Sequence, residues 1–177
     1  MKDTHNTGRP LSLTAKLLVL LRLRRDPCGF TPSARDISDA TLGGEGSTIS
    51  HGQVASLLNG KSGNPRASTI DALARALGVP AAFLLSGKEW DDLTALTVYA
   101  TRPEAREVLR LMQGLEVQDI LEISTRLQEI RRREGLSDDV PAIPPPPPGV
   151  DQPREGRPRR RSLNDAAERA ADYLEGH

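Results

Sequence analysis

Apolar residues recur at helical spacing through most of the first 136 positions, and nowhere do they alternate as in a strand. Residues 12–25 read as a helix that is apolar almost all round its middle, at Leu17, Leu18, Val19, Leu20 and Leu21, so it has to be buried among others. "DPCGFTPS" breaks it. Ser33 and Asp36 stand at capping distance, and "SARDISDATL" gives a short second helix, followed by a turn in "GGEGST". Ser50 and Gln53 form an S-x-x-Q capping box that opens a third helix, with Val54, Leu57 and Leu58 at core spacing and Gly60 as its stop. "KSGNPR" is a loop, since Pro65 forbids helix there. Ile70, Leu73, Ala74 and Leu77 fall at i, i+3, i+4 and i+7 and place a fourth helix over 68–77. Gly78 stops it, and Pro80 opens a short fifth element, "PAAFLL".

A second unit follows. "EWDDLTALTVYA" spaces Trp90, Leu93 and Leu96 by threes. Thr101 and Glu104 predict a further capping box for a helix carrying Val108, Leu109 and Met112, which stops at Gly114. The longest helix runs from 116 to about 133, with Val117, Ile120, Ile123, Leu127 and Ile130 on its apolar side and Glu129 four residues before Arg133. Beyond Asp139 the composition shifts to "VPAIPPPPPGVDQPREGRPRRR", which has too little apolar content to bury a core. The fold class is all-α. The expected division is a flexible 1–11, a five-helix unit over 12–88, a helical segment over 89–138, a disordered Pro/Arg-rich linker over 139–161 and a marginal helix over 162–177.

Charge sharpens this division. Lys plus Arg and Asp plus Glu each number 24, so the whole chain is neutral. Residues 1–88, however, carry 11 basic and 6 acidic side chains, and residues 89–140 carry 7 and 12. The first unit can meet a polyanion; the second is poorly suited to one. A single cysteine, Cys28, excludes a disulfide framework and a Cys-based metal site, as expected in a reducing cytoplasm. The longest apolar run has five residues, against about 20 for a membrane span, and the N-terminus lacks signal-peptide character. No membrane partner is expected, and the expected location is cytoplasmic.

The third helix carries the functional signal. At about 100° per residue, Val54, Leu57 and Leu58 face one way, while Gly52, Ser56 and Asn59 face the other, with Gln53 beside them. A helix that is merely solvated usually carries Glu, Lys or Arg on that side. A small, uncharged face with a glycine suits the DNA major groove, where Gln pairs with adenine and His51 and Ser56 reach bases or phosphates. Candidate base readers are therefore His51, Gly52, Gln53, Ser56 and Asn59. Candidate phosphate contacts are Lys61, Ser62, Asn64 and Arg66 in the following loop, and the helix N-termini near Ser33, Ser50 and Ser68.

"SHGQVASLLNGKSGNPRASTIDALARALGVPAAFLL" resembles the Cro/C1 (XRE) class of helix-turn-helix regulators, including its N-P-x-x-x-T-I-x-x-L-A-x-A-L-G-V pattern. The long loop "RDPCGFTPS" before the second helix is similar to the EspR-type nucleoid-associated regulators of actinobacteria. So is "TRPEAREVLRLMQGLEVQDILEISTRLQEIRRREGL", which looks like their C-terminal dimerisation segment. The resemblance spans roughly residues 12–136. It implies a nucleoid-associated, dimeric binder of double-stranded DNA whose subunits bridge separate sites, with Ser50 to Gly60 as recognition helix and His51, Gly52 and Gln53 first into the groove.

Val117, Ile120, Leu121, Leu127 and Ile130 make an apolar stripe too long for residues 88–114 to cover, so it is expected to be the seam of a homodimer. His5, His51 and His177 lack ligand spacing, and no metal or cofactor is expected. "GGEG" lacks the Gly-Lys-Ser/Thr that would make it a phosphate loop. Arg131, Arg132 and Arg133 read as a solvated helix end. No nucleophile, base and orienting acid come together, so no enzyme is expected. The contrasting reading is a protein-interaction module, an antitoxin or adaptor, that uses the same fold to bind a partner through the acidic helices or the Pro/Arg-rich tail.

Overall fold

The computed structural model describes residues 9–26, 30–43 and 46–147. These residues form seven α-helices and two 3-10 turns, with no strand among them. The helices are α1 (Leu13–Leu23), α2 (Ala34–Leu42), α3 (His51–Leu58), α4 (Ala67–Ala76), α5 (Leu93–Thr101), α6 (Pro103–Leu111) and α7 (Val117–Arg133). Segments 148–177, with the marginal helix and most of the Pro/Arg-rich tail, lie outside the described residues, as does Cys28.

The helix starts follow their caps. Ser12 accepts from the Ala15 amide to open α1, and Ser33 with Asp36 and Ser50 with Gln53 form full capping boxes for α2 and α3. The stops follow glycine. At the end of α3, Gly60 takes φ +67°, and the amides of Gly60 and Lys61 return to the carbonyls of Leu57 and Ser56. Gly78, at φ +52°, closes α4 in the same way through Arg75 and Ala74.

The core gathers Leu17, Leu20 and Leu21 of α1, Ile37 of α2, Val54, Leu57 and Leu58 of α3, Ile70, Leu73 and Leu77 around α4, and Phe83 and Leu84. The fifth element of this unit is not an α-helix but a single 3-10 turn, Ala81–Leu84. Its buried Phe83 and Leu84 plug the core that α1 and α4 leave open.

This unit does not stop at residue 88. Leu93 is part of its core and Leu96 packs against it. Lys16, inside the apolar helix α1, is fully buried. Its ammonium lies 2.7 Å from Asp91 Oδ1, donates to the carbonyls of Leu85 (2.8 Å) and Trp90 (3.3 Å), and sits 5.3 Å from the centre of the Phe83 ring. Leu11, expected in a flexible end, donates its amide to Asp91 Oδ2 at 2.9 Å. Asp91 and the first turns of α5 therefore pack with the elements of the first 88 residues.

Beyond α5, packing thins out. α5 packs on α6, but no residue of α6 or α7 is buried. Three local expectations change here. "EWDDLTALTVYA" divides into a 3-10 turn, Lys88–Trp90, and α5, which Asp92 caps by accepting from the Ala95 amide at 2.8 Å. Thr101 does not cap α6: it ends α5, its hydroxyl donates back to Thr97 O at 2.8 Å, and Arg102 is the N-cap, with Pro103 in the first turn. Glu129 pairs with Arg126 at 2.8 Å, and Arg133 pairs with Glu134. After α7 the chain returns to the start of α5, where Thr94 donates its amide to Ala142 O (3.0 Å) and its hydroxyl to Pro141 O (2.8 Å). The first residues of the expected linker are thus tied to α5.

Candidate nucleic-acid interface

α3 is fixed from three sides. Its buried Val54, Leu57 and Leu58 face the core. At its C-terminal end, Thr14 of α1 donates its hydroxyl to Leu57 O at 3.0 Å. At its entry, Ile49 is held by both backbone groups: its amide donates to Thr41 Oγ1 (3.1 Å) and its carbonyl accepts from Ser38 Oγ (2.8 Å), both on α2. Thr41 is buried with its hydroxyl satisfied, so α2 and α3 are locked together across the loop that joins them. The sequence gives Ile49, Thr41 and Ser38 no local signal, because the anchor depends on the loop's return path.

On the outer side, His51, Gly52, Gln53 and Asn59 are exposed and Ser56 is half-buried. Gly52 has ordinary helical backbone, and a Cβ placed there would meet nothing within 4 Å. Neither the backbone nor the packing of this chain needs a glycine at that position, although glycine weakens a helix relative to alanine. The usual internal reasons for a glycine are absent at this point of the outer face.

Gln53 has a second task. Its Oε1 accepts from the Ser50 amide at 3.1 Å, and its own amide donates to Ser50 Oγ. A two-point pairing with adenine uses that same oxygen, so base and Ser50 amide must share its two lone pairs or the capping box must open.

The candidate phosphate contacts fall into two groups. Lys61, Asn64, Arg66 and Ser68 are exposed and Ser62 is half-buried, all in or just after the loop that follows α3. Arg66, not Ser68, is the N-cap of α4, and no side chain caps that helix; the Thr69 amide returns to Arg66 O at 2.9 Å, which leaves the amides of Ala67 and Ser68 as those an anion could meet. The N-terminus of α2 is different. Asp36 accepts from the Ser33 amide at 2.8 Å, and this contact, with the Ser33 hydroxyl, lowers its pKa below the ordinary value against a small opposing effect of burial. A phosphate at Ser33 would have to displace or tolerate that carboxylate. Ser50 likewise has both its amide and its hydroxyl engaged with Gln53.

The basic excess of the first unit is one charge smaller on its surface than in its sequence, through the buried Lys16, whereas Arg24 and Arg75 are exposed and keep their charge while bonding to carbonyls. Lys16 is neutralised by Asp91. Arg24 serves the C-terminal end of α4, donating to Leu77 O and to Ala76 O. Arg75 reaches Ser47 O at 3.4 Å. Lys61 and Arg66 remain outward beside α3, and Arg35, exposed in the first turn of α2, is a further cation that a reading confined to the loop after α3 overlooks.

No protein-family model and no curated sequence matches the chain. Among the described residues, no group of three or more His, Cys, Asp and Glu side chains is arranged to hold a metal ion. No described helix is long and apolar enough to cross a membrane.

Proposed function

We propose that the chain binds double-stranded DNA with some sequence preference, as a dimeric transcriptional regulator or nucleoid-associated protein. The observation that carries this reading is Gly52: an exposed helical glycine without an internal purpose, on a rigid helix whose outer face is small and uncharged. A close-approaching surface explains it, and the floor of the major groove, read by short polar side chains, is such a surface. Lys61, Arg66 and the uncapped first turn of α4 lie next along the chain and supply phosphate contacts, with Arg35 as an additional candidate. His51, Ser56 and Asn59 read base edges, and Gln53 does so while sharing its oxygen with the Ser50 amide or once released from its cap. Binding, rather than catalysis, is the role.

Dimerisation belongs to the same reading. Val117, Leu121, Leu127 and Ile130 of α7 are exposed, and a 17-residue helix without a buried residue has little tertiary support of its own. A second copy supplies that support and joins two DNA-binding units, which raises the effective concentration of the second contact. The same exposed apolar face favours a second reading, in which α6 and α7 receive a different protein.

The deciding experiment measures binding to random genomic duplex at low and moderate salt. DNA binding predicts an affinity that falls steeply with salt, by about 0.9 in log affinity per unit of log salt for each phosphate neutralised. An affinity independent of salt, or none at low salt, would refute it.

A further inference from the structure

α7 carries its charge unevenly. Its N-cap and first half hold Glu116, Asp119 and Glu122 with no basic residue, and none of these three makes an ion pair among the described residues. Its second half holds Arg126, Arg131, Arg132 and Arg133 against Glu129. Arg126, Arg132 and Arg133 have exposed carboxylate partners within the chain, at Glu129, Asp138 and Glu134. Arg131 instead gives its guanidinium to the Ser137 carbonyl at 2.7 and 2.9 Å, which orients the group, and it has no carboxylate partner among the described residues.

Two pairs of apolar positions are also symmetrical along the helix, whereas Leu121 is related to Arg126 and Ile123 to Ser124. Val117 and Ile130 lie equally far from the midpoint between Ile123 and Ser124, and so do Ile120 and Leu127. Glu116 and Arg131 are related in the same way. Val117 is 72% exposed and Ile130 36%, so both ends of the stripe reach solvent.

We propose that this face receives the same face of a second copy, with the two α7 helices antiparallel about a two-fold axis between Ile123 and Ser124. The inference rests on the dimer reading above and adds the orientation. Antiparallel pairing sets Val117 level with Ile130 and Ile120 level with Leu127 of the second copy, and brings each Glu116 to Arg131. Parallel pairing sets acid against acid at one end and Arg against Arg at the other. Exposed ion pairs contribute little singly, but this one recurs at both ends of the seam, and the like charges of the parallel alternative disfavour it. The contact is isologous and closes as a dimer.

The test uses the full chain with Cys28→Ser as background, carrying either Ile120→Cys or Leu127→Cys, under mild oxidation. The antiparallel seam predicts that neither variant alone gives a disulfide-linked dimer and that a mixture of the two does. Linked dimers from each variant alone would establish the parallel arrangement and overturn the proposal. A wild type that is dimeric by mass, with no linkage in the mixture, would place the seam elsewhere and also overturn it. A monomeric wild type would instead defeat the dimer reading itself. Should a seam cysteine prevent folding, the exposed charges decide: Glu116→Arg and Arg131→Glu should each weaken dimerisation severalfold, and the double variant should recover it. A double variant weaker than either single one would contradict the antiparallel contact.

Discussion

Lys16 Nζ lies 2.7 Å from Asp91 Oδ1, and the lysine side chain is wholly hidden from solvent while the aspartate keeps 21% of its exposure. The two sides of the pair are therefore unequal. Removing the carboxylate leaves a buried ammonium with only the carbonyls of Leu85 and Trp90. Removing the ammonium leaves a carboxylate that still reaches water. Asp91→Ala should cost about 3–5 kcal/mol, and Lys16→Met, which keeps the apolar stem, about 1–3 kcal/mol. Urea midpoints of the two variants check the order; a larger loss for Lys16→Met would contradict this account of the pair.

Acid should unfold the protein through the same residue. Burial pushes the Asp91 carboxyl upward, but the Lys16 hydrogen bond, the Leu11 amide and the charges of Lys16 and Lys88 outweigh it and hold the group below its ordinary 3.8. A folded-state pKa below the unfolded one contributes stability that is complete above 3.8 and is lost as pH falls through the lowered value. Asp36, lowered by Ser33, acts in the same direction. Wild-type stability should stay level from neutral pH to about 5 and decline below 3.8, and Asp91→Asn should show a shallower acid decline. An unchanged slope in urea titrations across that range would exclude Asp91 as a contributor.

Much of the fold was legible because its determinants are local. Ser12, Ser33 and Ser50 sit beside the amides they cap, and Gly60 and Gly78 beside the carbonyls they release. Core spacing located Val54, Leu57 and Leu58 as well as Ile70 and Leu73. What escaped notice depends on chain return. Lys16 looks like a polar interruption of α1 until Asp91, far along the chain, is folded against it. Thr41 and Ser38 acquire a purpose only when Ile49 comes back to them. Thr101 fits a capping pattern yet ends a helix, because Pro103, with Arg102 as cap, sets the next start. At the candidate site, the outward face of α3 could be read from periodicity, but Gly52's freedom from internal contact could not.

Gln53 should show its two tasks separately. Gln53→Glu keeps an acceptor for the Ser50 amide and suits the helix N-terminus, so stability should hold or rise slightly. It removes the amide donor that pairs with adenine and places a negative charge at the groove. Duplexes selected from a random pool by this variant should differ from those selected by wild type. Identical selected sets would remove Gln53 from base readout.

The seam should matter to DNA affinity. Ile120→Asp combined with Leu127→Asp places carboxylates where apolar contact is needed, which breaks association through their desolvation cost. The variant should be monomeric by light scattering, keep a folded first unit, and bind specific duplex at least about tenfold more weakly, as the second contact is lost. A dimeric variant would place the seam elsewhere than on this stripe.

The account turns on Gly52, and Gly52→Glu tests it with opposite signs on two readouts. Among the described residues, no atom outside its own turn of helix lies within 4 Å of a Cβ at this position. An acid in the first turn of α3 favours the helix by about 0.3–1 kcal/mol, so the thermal midpoint should stay equal or rise. The same carboxylate would face the bases and phosphates of a docked duplex, so affinity for DNA, measured by fluorescence anisotropy at low salt on the same preparation, should fall at least about tenfold, that is about 1.4 kcal/mol. A stable variant that binds duplex as tightly as wild type would contradict the claim that α3 is the DNA-binding face.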